Sequence, residues 1–170
     1  MINLFLNARI RHLRHEYKRI KRFRMYSEVN RILIFFTIEN LEDVVLLVKS
    51  LESEGKIVRA YSYTKKGMDN TFLPHAFHVW NKKQLNVLSI PRKSCLNEID
   101  SFPADTLIDL TMAPSIITDY MFFFTNADYR VGLQRQYPQM YDLLLTVDQE
   151  HDFSFFSSQL LFYLKSIRTS

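Results

Sequence analysis

Residues 105–133 read DTLIDLTMAPSIITDYMFFFTNADYRVGL, and the fold turns on how this stretch divides. TLIDL is an apolar run carrying one carboxylate, Asp109. A turn at Ala113-Pro114 follows, then an apolar helical run over 115–125 and a strand-like run over 129–133. Strand, helix and strand at this spacing spell a parallel crossover, and parallel sheets are covered on both faces. Ligands in such sheets sit beyond the carboxyl ends of the strands, so Asp109 and Thr111 occupy positions where a binding group is expected.

A similar unit precedes this one. Residues 31–37 (RILIFFT) form a near-continuous apolar run, the pattern of a strand buried on both faces. Asn40 is placed to cap a helix in which Val44, Leu47, Val48 and Leu51 recur at helical spacing, and Gly55 closes it. Residues 57–63 (IVRAYSY) read as the next strand, ended by a turn at Lys65-Lys66-Gly67. The middle is less regular: a loop to Leu73, a short strand over 77–80, a second short strand or extended segment over 86–90 before Pro91, and a turn of helix over 94–99. Beyond Leu133 the chain reaches 141–147 (YDLLLTV) after too few residues for the dozen or so that a parallel crossover takes. This last strand is therefore predicted to run antiparallel at an edge, which would put Asp148 at the opposite end of the sheet from Asp109. Asp152 caps a final helix in which Phe155, Phe156, Leu160, Leu161 and Leu164 pack inward.

The prediction is an α/β domain over 27–170: a Rossmann-like, doubly wound, mostly parallel sheet of order 3-2-1-4-5 with an antiparallel edge strand. It is preceded by a basic amphipathic helix over 1–26. Strand order reverses between the strands ending at Thr37 and Thr111. That gathers Thr37, Glu39, Asn40, Asp109, Thr111 and the helix start at Ser115 around one crevice. A carboxylate inside LIDL loses hydration and needs donors, from neighbouring hydroxyls, a helix N-terminus or Arg130. Asp109 is also the one candidate acid, base or hydroxyl acceptor, and no catalytic group stands out beyond it.

The charge is unevenly placed. The chain of 170 residues carries +4. Residues 1–25 hold Arg9, Arg11, Arg14, Lys18, Arg19, Lys21, Arg22 and Arg24 against Glu16 alone, which is +7 and leaves −3 for the remainder. Leu6, Ile10, Leu13, Tyr17 and Ile20 line one face of this segment when it is wound as a helix. The stripe can dock on the α/β body, or serve self-association or a protein partner. The basic face, with Arg14, Lys18, Arg22 and Arg24 off the stripe, can meet an anionic membrane surface or nucleic acid. No base-reading motif or stacking platform accompanies it.

Other chemistry is excluded more firmly. Gly55, Gly67 and Gly132 are the only glycines; GxGxxG, GxxxxGK[ST] and GxSxG are all absent, so no dinucleotide, triphosphate or acyl-transfer site has its usual backbone support. His75 and His78 lie in PHAFHVW, where Pro74 and the aromatic neighbours favour a strand or loop over a metal-binding helix face. Neither a metal nor a cofactor is expected. The single cysteine, Cys95, excludes an internal disulfide framework. The first apolar residues precede the basic ones, so no secretory signal is read, and the longest apolar runs fall far short of the ~18 residues of a spanning helix. The expected location is the cytoplasm.

Two resemblances rest on these motifs. The basic N-terminal helix, RILIFF, YSYTKK, WNKKQLN, TLIDL, NADYRVG and YDLLL, in that order, resemble an uncharacterised family of short bacterial α/β proteins across nearly the whole chain. That family is a domain of unknown function, so the resemblance implies fold and no mechanism. TLIDL, a helix and NADYRVG are also similar to the N-terminal domain of heptosyltransferase-type glycosyltransferases. There Asp43 is nearest to the family's catalytic aspartate, and Glu42 stands where the family has glycine. This likeness implies shared architecture and no transferase activity. The expected function is thus non-enzymatic binding or assembly, the alternative being a small-ligand-binding protein or enzyme that uses the crevice.

Overall fold

The computed structural model describes residues 2–68, 70–113, 115–133, 138–146, 148 and 150–167, without the side chains of Ile2 and Asn3. Pro114 of the expected turn, Val147 of the expected last strand and Gln149 lie outside these residues. Six strands form one sheet: β1 (Arg31–Phe36), β2 (Ile57–Tyr63), β3 (Phe77–Trp80), β4 (Thr106–Leu110), β5 (Tyr129–Leu133) and β6 (Leu143–Leu145). The order is β3-β2-β1-β4-β5-β6, and every neighbouring pair is parallel. This is the doubly wound, Rossmann-like arrangement with its reversal between β1 and β4.

Alternation along each strand divides the core in two. Ile32, Ile34 and Phe36 of β1 face one side, with Ile108 and Leu110 of β4, and are covered by helices α2 (Leu41–Ser53) and α5 (Phe153–Ser166). Leu33, Phe35, Tyr61 and Leu107 face the other, under α1 (Ile2–Glu16), α3 (Lys93–Asp100) and α4 (Ile116–Phe122). Burying each such side chain is worth about 1.5–3 kcal/mol, so β1, buried on both faces, fixes the centre of the sheet. Helix α2 ends as its glycine requires: Gly55 takes φ +80° and the Lys56 N–H donates back to the Leu51 carbonyl.

Several expectations need correction. The last strand is parallel, with Val131, Gly132 and Leu133 paired to Leu143, Leu144 and Leu145. Only three residues pair, about 10 Å of strand, and the intervening chain can span about three times that distance without a helix. The N-terminal helix stops at Glu16. Beyond it, residues 17–25 lie along the body as a non-helical strap, because the buried Asp142 carboxylate that Arg19 and the Arg22 N–H reach there outweighs the helical preference of its lysines and arginines. Leu6 and Ile10 are buried and Leu13 and Tyr17 partly so, whereas Ile20, the last member of the predicted stripe, is 84% exposed. In α5, Phe156, Leu160 and Leu164 are buried as expected. Phe153 joins them, while Phe155 instead stacks on His151 at 3.8 Å. The extended segment expected over 86–90 is a turn, closed by the Asn86 N–H on the Ile90 carbonyl.

Candidate functional site

The carboxyl ends of β1–β4 open into a cleft of ≈ 1160 Å³. Each strand delivers a different chemistry to it. After β1 come Thr37 and Glu39; from the end of β2, Tyr63, Thr64, Lys65 and Lys66; after β3, Lys82 and Asn86; after β4, Thr111 and Ser115. Phe36, Ile38, Met68, Leu85, Ile116 and Ile117 add apolar surface. Since β2 and β3 lie on one side of β1 and β4 on the other, the lysines stand on one wall and the hydroxyls of the β4–α4 connection on the opposite one.

The reversal point is held together by Thr37. Its Oγ1 accepts hydrogen bonds from the Met112 and Ala113 N–H groups, at 2.8 and 3.2 Å. Those two amides, which in a glycine-rich phosphate loop would face a ligand, are thereby satisfied within the fold. Ser115 caps α4 through a 3.5 Å bond from the Thr118 N–H.

Asp109 does not line the cleft. It is buried, and its register with Phe35 and Gly132 puts it on the face under α1, α3 and α4. One carboxylate oxygen accepts from the Thr111 N–H at 3.0 Å and from the Thr111 hydroxyl; the other accepts the Tyr141 phenol at 2.5 Å. Its part in the site is indirect, because it sets the conformation of Thr111, which does line the cleft. Gly132 makes room for this link: a Cβ there would stand 2.8 Å from Tyr141 Cε1 and 3.2 Å from the Asp109 carbonyl.

Arg130 is engaged elsewhere. It is buried, donates to the Thr125 and Ala127 carbonyls and lies over the rings of Phe122 and Tyr17. Burial pulls its pKa down to about 10. Asn40 stands at the N-cap position of α2 without a capping side-chain bond and is not among the cleft residues. The parallel direction of β6 also corrects the placement of Asp148, which follows the same sheet edge as Asp109. There its carboxylate accepts from the Glu150 and His151 N–H groups and pairs with the His151 ring at 2.8 Å, which holds its pKa below the usual carboxylate range.

Among the cationic candidates, Lys18 is exposed and Arg14 partly buried. Arg22 and Arg24 approach Asp128 at 3.6 and 3.7 Å, and the Arg22 N–H donates to Asp142. His78 meets Glu98 at 2.9 Å and stacks on Tyr61. His75 is exposed. Among the described residues, no three His, Cys, Asp or Glu side chains are grouped to hold a metal, and no helix is long and apolar enough to cross a membrane.

The cleft residues missing from the sequence reading include Tyr63, Thr64, Lys65, Lys66 and Lys82. The rule that found Thr37 and Thr111 would have found them too, had it been applied to the carboxyl ends of β2 and β3. Asp43, suggested by the glycosyltransferase likeness, is exposed in the first turn of α2 and is not among the cleft residues. No curated protein matches the sequence, so that likeness gains no support. The order of motifs from RILIFF to YDLLL does: residues 3–167 match a family of unknown function, DUF6913, and the chain belongs to that family.

Proposed function

We propose that this protein is a binding domain whose site is the cleft at the carboxyl ends of β1–β4, and that it takes a small polar ligand there. One observation carries the reading: the space at the strand reversal is open and bordered by polar side chains, where close-packed Phe or Leu side chains would have closed it. Its position is the one that doubly wound sheets use for ligands. The reading is of binding without chemistry. The buried carboxylate nearest the site, Asp109, is held by Thr111 and Tyr141 and acts on the shape of the cleft. The cytoplasm is taken as the setting, with Cys95 a free thiol.

The test is to titrate the full chain with a library of small polar metabolites and follow backbone NMR signals. Ligands should move the signals of Thr37, Thr64 and Thr111 together, and Ala113→Trp, which puts an indole at the cleft, should abolish the shifts. Ligands that move only signals elsewhere would refute the reading.

A second reading, self-association or docking through the N-terminal segment, is favoured by Leu4, Phe5, Ile20 and Phe23, all large, apolar and exposed. Light scattering on the wild type and on a Phe5→Ser/Phe23→Ser variant tests it. Equal monomer masses would count against self-association.

A further inference from the structure

We infer that the ligand of this cleft is an organic phosphate: its phosphate lies against Lys65, Lys66 and Lys82, and its hydroxyl-bearing body extends toward Glu39 and Ser115. The inference rests on the cleft being the binding site and adds the chemical class of what it binds. The first ground is charge. Three ammonium groups and one carboxylate, Glu39, border the space, a net +2 from these four side chains. A phosphate monoester carries about −1.5 to −2 at neutral pH, which matches that excess, whereas a monocarboxylate leaves it half neutralised. None of the three lysines has an ion-pair partner among the described residues. They come from two separate loops, so their convergence follows from the adjacency of β2 and β3.

The second ground is the distribution of hydrogen-bonding groups. Thr64 Oγ1 accepts the Lys66 N–H at 3.2 Å, which leaves its own proton available to a phosphate oxygen beside the lysines. Across the cleft, the Met112 and Ala113 amides are taken by Thr37, and the β4–α4 connection contributes no cation to the described cleft residues. The phosphate therefore belongs on the lysine wall, bound as a point charge by flexible ammonium groups. The rest of the cleft suits an uncharged body: on the β4 side Ser115 Oγ already accepts one N–H and keeps a proton to donate, and the Glu39 carboxylate, after β1, accepts hydroxyls while repelling a second phosphate. At ≈ 1160 Å³ the cleft is far larger than one phosphate ion and has room for that body.

The experiment is calorimetric titration of the full chain with ribose 5-phosphate, ribose, inorganic phosphate and succinate, at low and moderate salt. The wild type is compared with Lys65→Ala/Lys66→Ala/Lys82→Ala and with Ala113→Trp, each variant first shown by thermal melting to be folded. Ribose 5-phosphate should bind more tightly than inorganic phosphate or ribose, lose affinity as salt rises, and weaken by about tenfold or more in the triple variant. If ribose or succinate binds as well as the ester, with no loss in the triple variant but loss in Ala113→Trp, the phosphate assignment is overturned and the cleft stands. Ester binding that survives both variants overturns the cleft as well. Absence of any ester binding likewise overturns the phosphate assignment.

Discussion

At the amino ends of the strands, arginines of this protein meet aspartates; at the carboxyl ends, among the described residues, the lysines of the cleft do not meet a carboxylate. Asp105, Asp128 and Asp142 immediately precede β4, β5 and β6. Asp105 accepts the N–H groups of Asn30 and Arg31, which ties the start of β1 to that of β4. Asp142, whose side chain is fully buried, accepts from the Arg19 guanidinium, the Arg22 N–H and the Arg130 N–H, while Asp128 faces Arg22 and Arg24 and offers its carbonyl to Arg19. The strap over 17–25 thus closes one edge of the sheet by neutralising it. At the opposite edge Lys65, Lys66 and Lys82 border an open cleft in which Glu39 is the one carboxylate among the described residues. Cationic side chains hold the fold together at one end and border an open cleft at the other. A segment's net charge is therefore a poor guide to which of its cations are accessible.

The comparison breaks most sharply at Asp142. Asp142→Ala leaves the buried Arg130 N–H and the nearly buried Arg19 guanidinium unmatched, so it should cost about 3–5 kcal/mol in denaturant unfolding; a loss below about 1 kcal/mol would mean that the strap is not a structural clamp. Next comes the link beneath the cleft. Gly132→Ala drives a methyl into the Tyr141 ring and should cost about 1–3 kcal/mol. Tyr141→Phe, which removes one donor from buried Asp109, should cost about 1–3 kcal/mol. Both should also move the NMR signal of Thr111 if Asp109 sets its conformation.

At the open end the expectation reverses. Lys65→Ala, Lys66→Ala and Lys82→Ala should each leave stability within about 0.5 kcal/mol of wild type, and a larger loss would place these lysines in the fold rather than in a site. In the strap, Lys18→Glu should be silent. Arg22→Glu and Arg24→Glu, set beside Asp128, should destabilise slightly, and the difference should shrink with added salt.

The smallest effect is a pH dependence at the β3 edge. The hydrogen bond from His78 holds Glu98 below the usual carboxylate range, helped by Tyr61. A depressed carboxylate contributes stability above its unfolded pKa and loses it as pH falls through the folded value. Stability should therefore decline below about pH 4.3, and His78→Ala should flatten that decline.

Much of the architecture was legible because it depends on periodicity alone. RILIFF and TLIDL are short, largely apolar runs rich in Ile, Leu and Phe with turn residues close by, the pattern of strands covered on both faces, and Val44, Leu47, Val48 and Leu51 recur at a spacing a helix puts on one side. Thr37, Thr111 and Ser115 followed from strand order without knowledge of any contact. Tyr141 was not legible as a partner of Asp109, thirty-two residues away, because its reach depends on the missing side chain of Gly132, which is adjacent to Asp109 across the β4–β5 ladder.

By itself, then, the sequence determined the α/β class and the reversal between β1 and β4, since burial patterns and crossover rules act locally along the chain. Only the tertiary structure decided the direction of β6, the end of the first helix at Glu16, and which cations remain accessible. Each of these depends on what a side chain meets after the chain has returned on itself. Arg22 lies beside Asp128, and Arg19 reaches Asp142, so their charges are matched by groups more than a hundred residues away in sequence. Lys65, Lys66 and Lys82 are brought to one cleft by the pairing of β2 with β3.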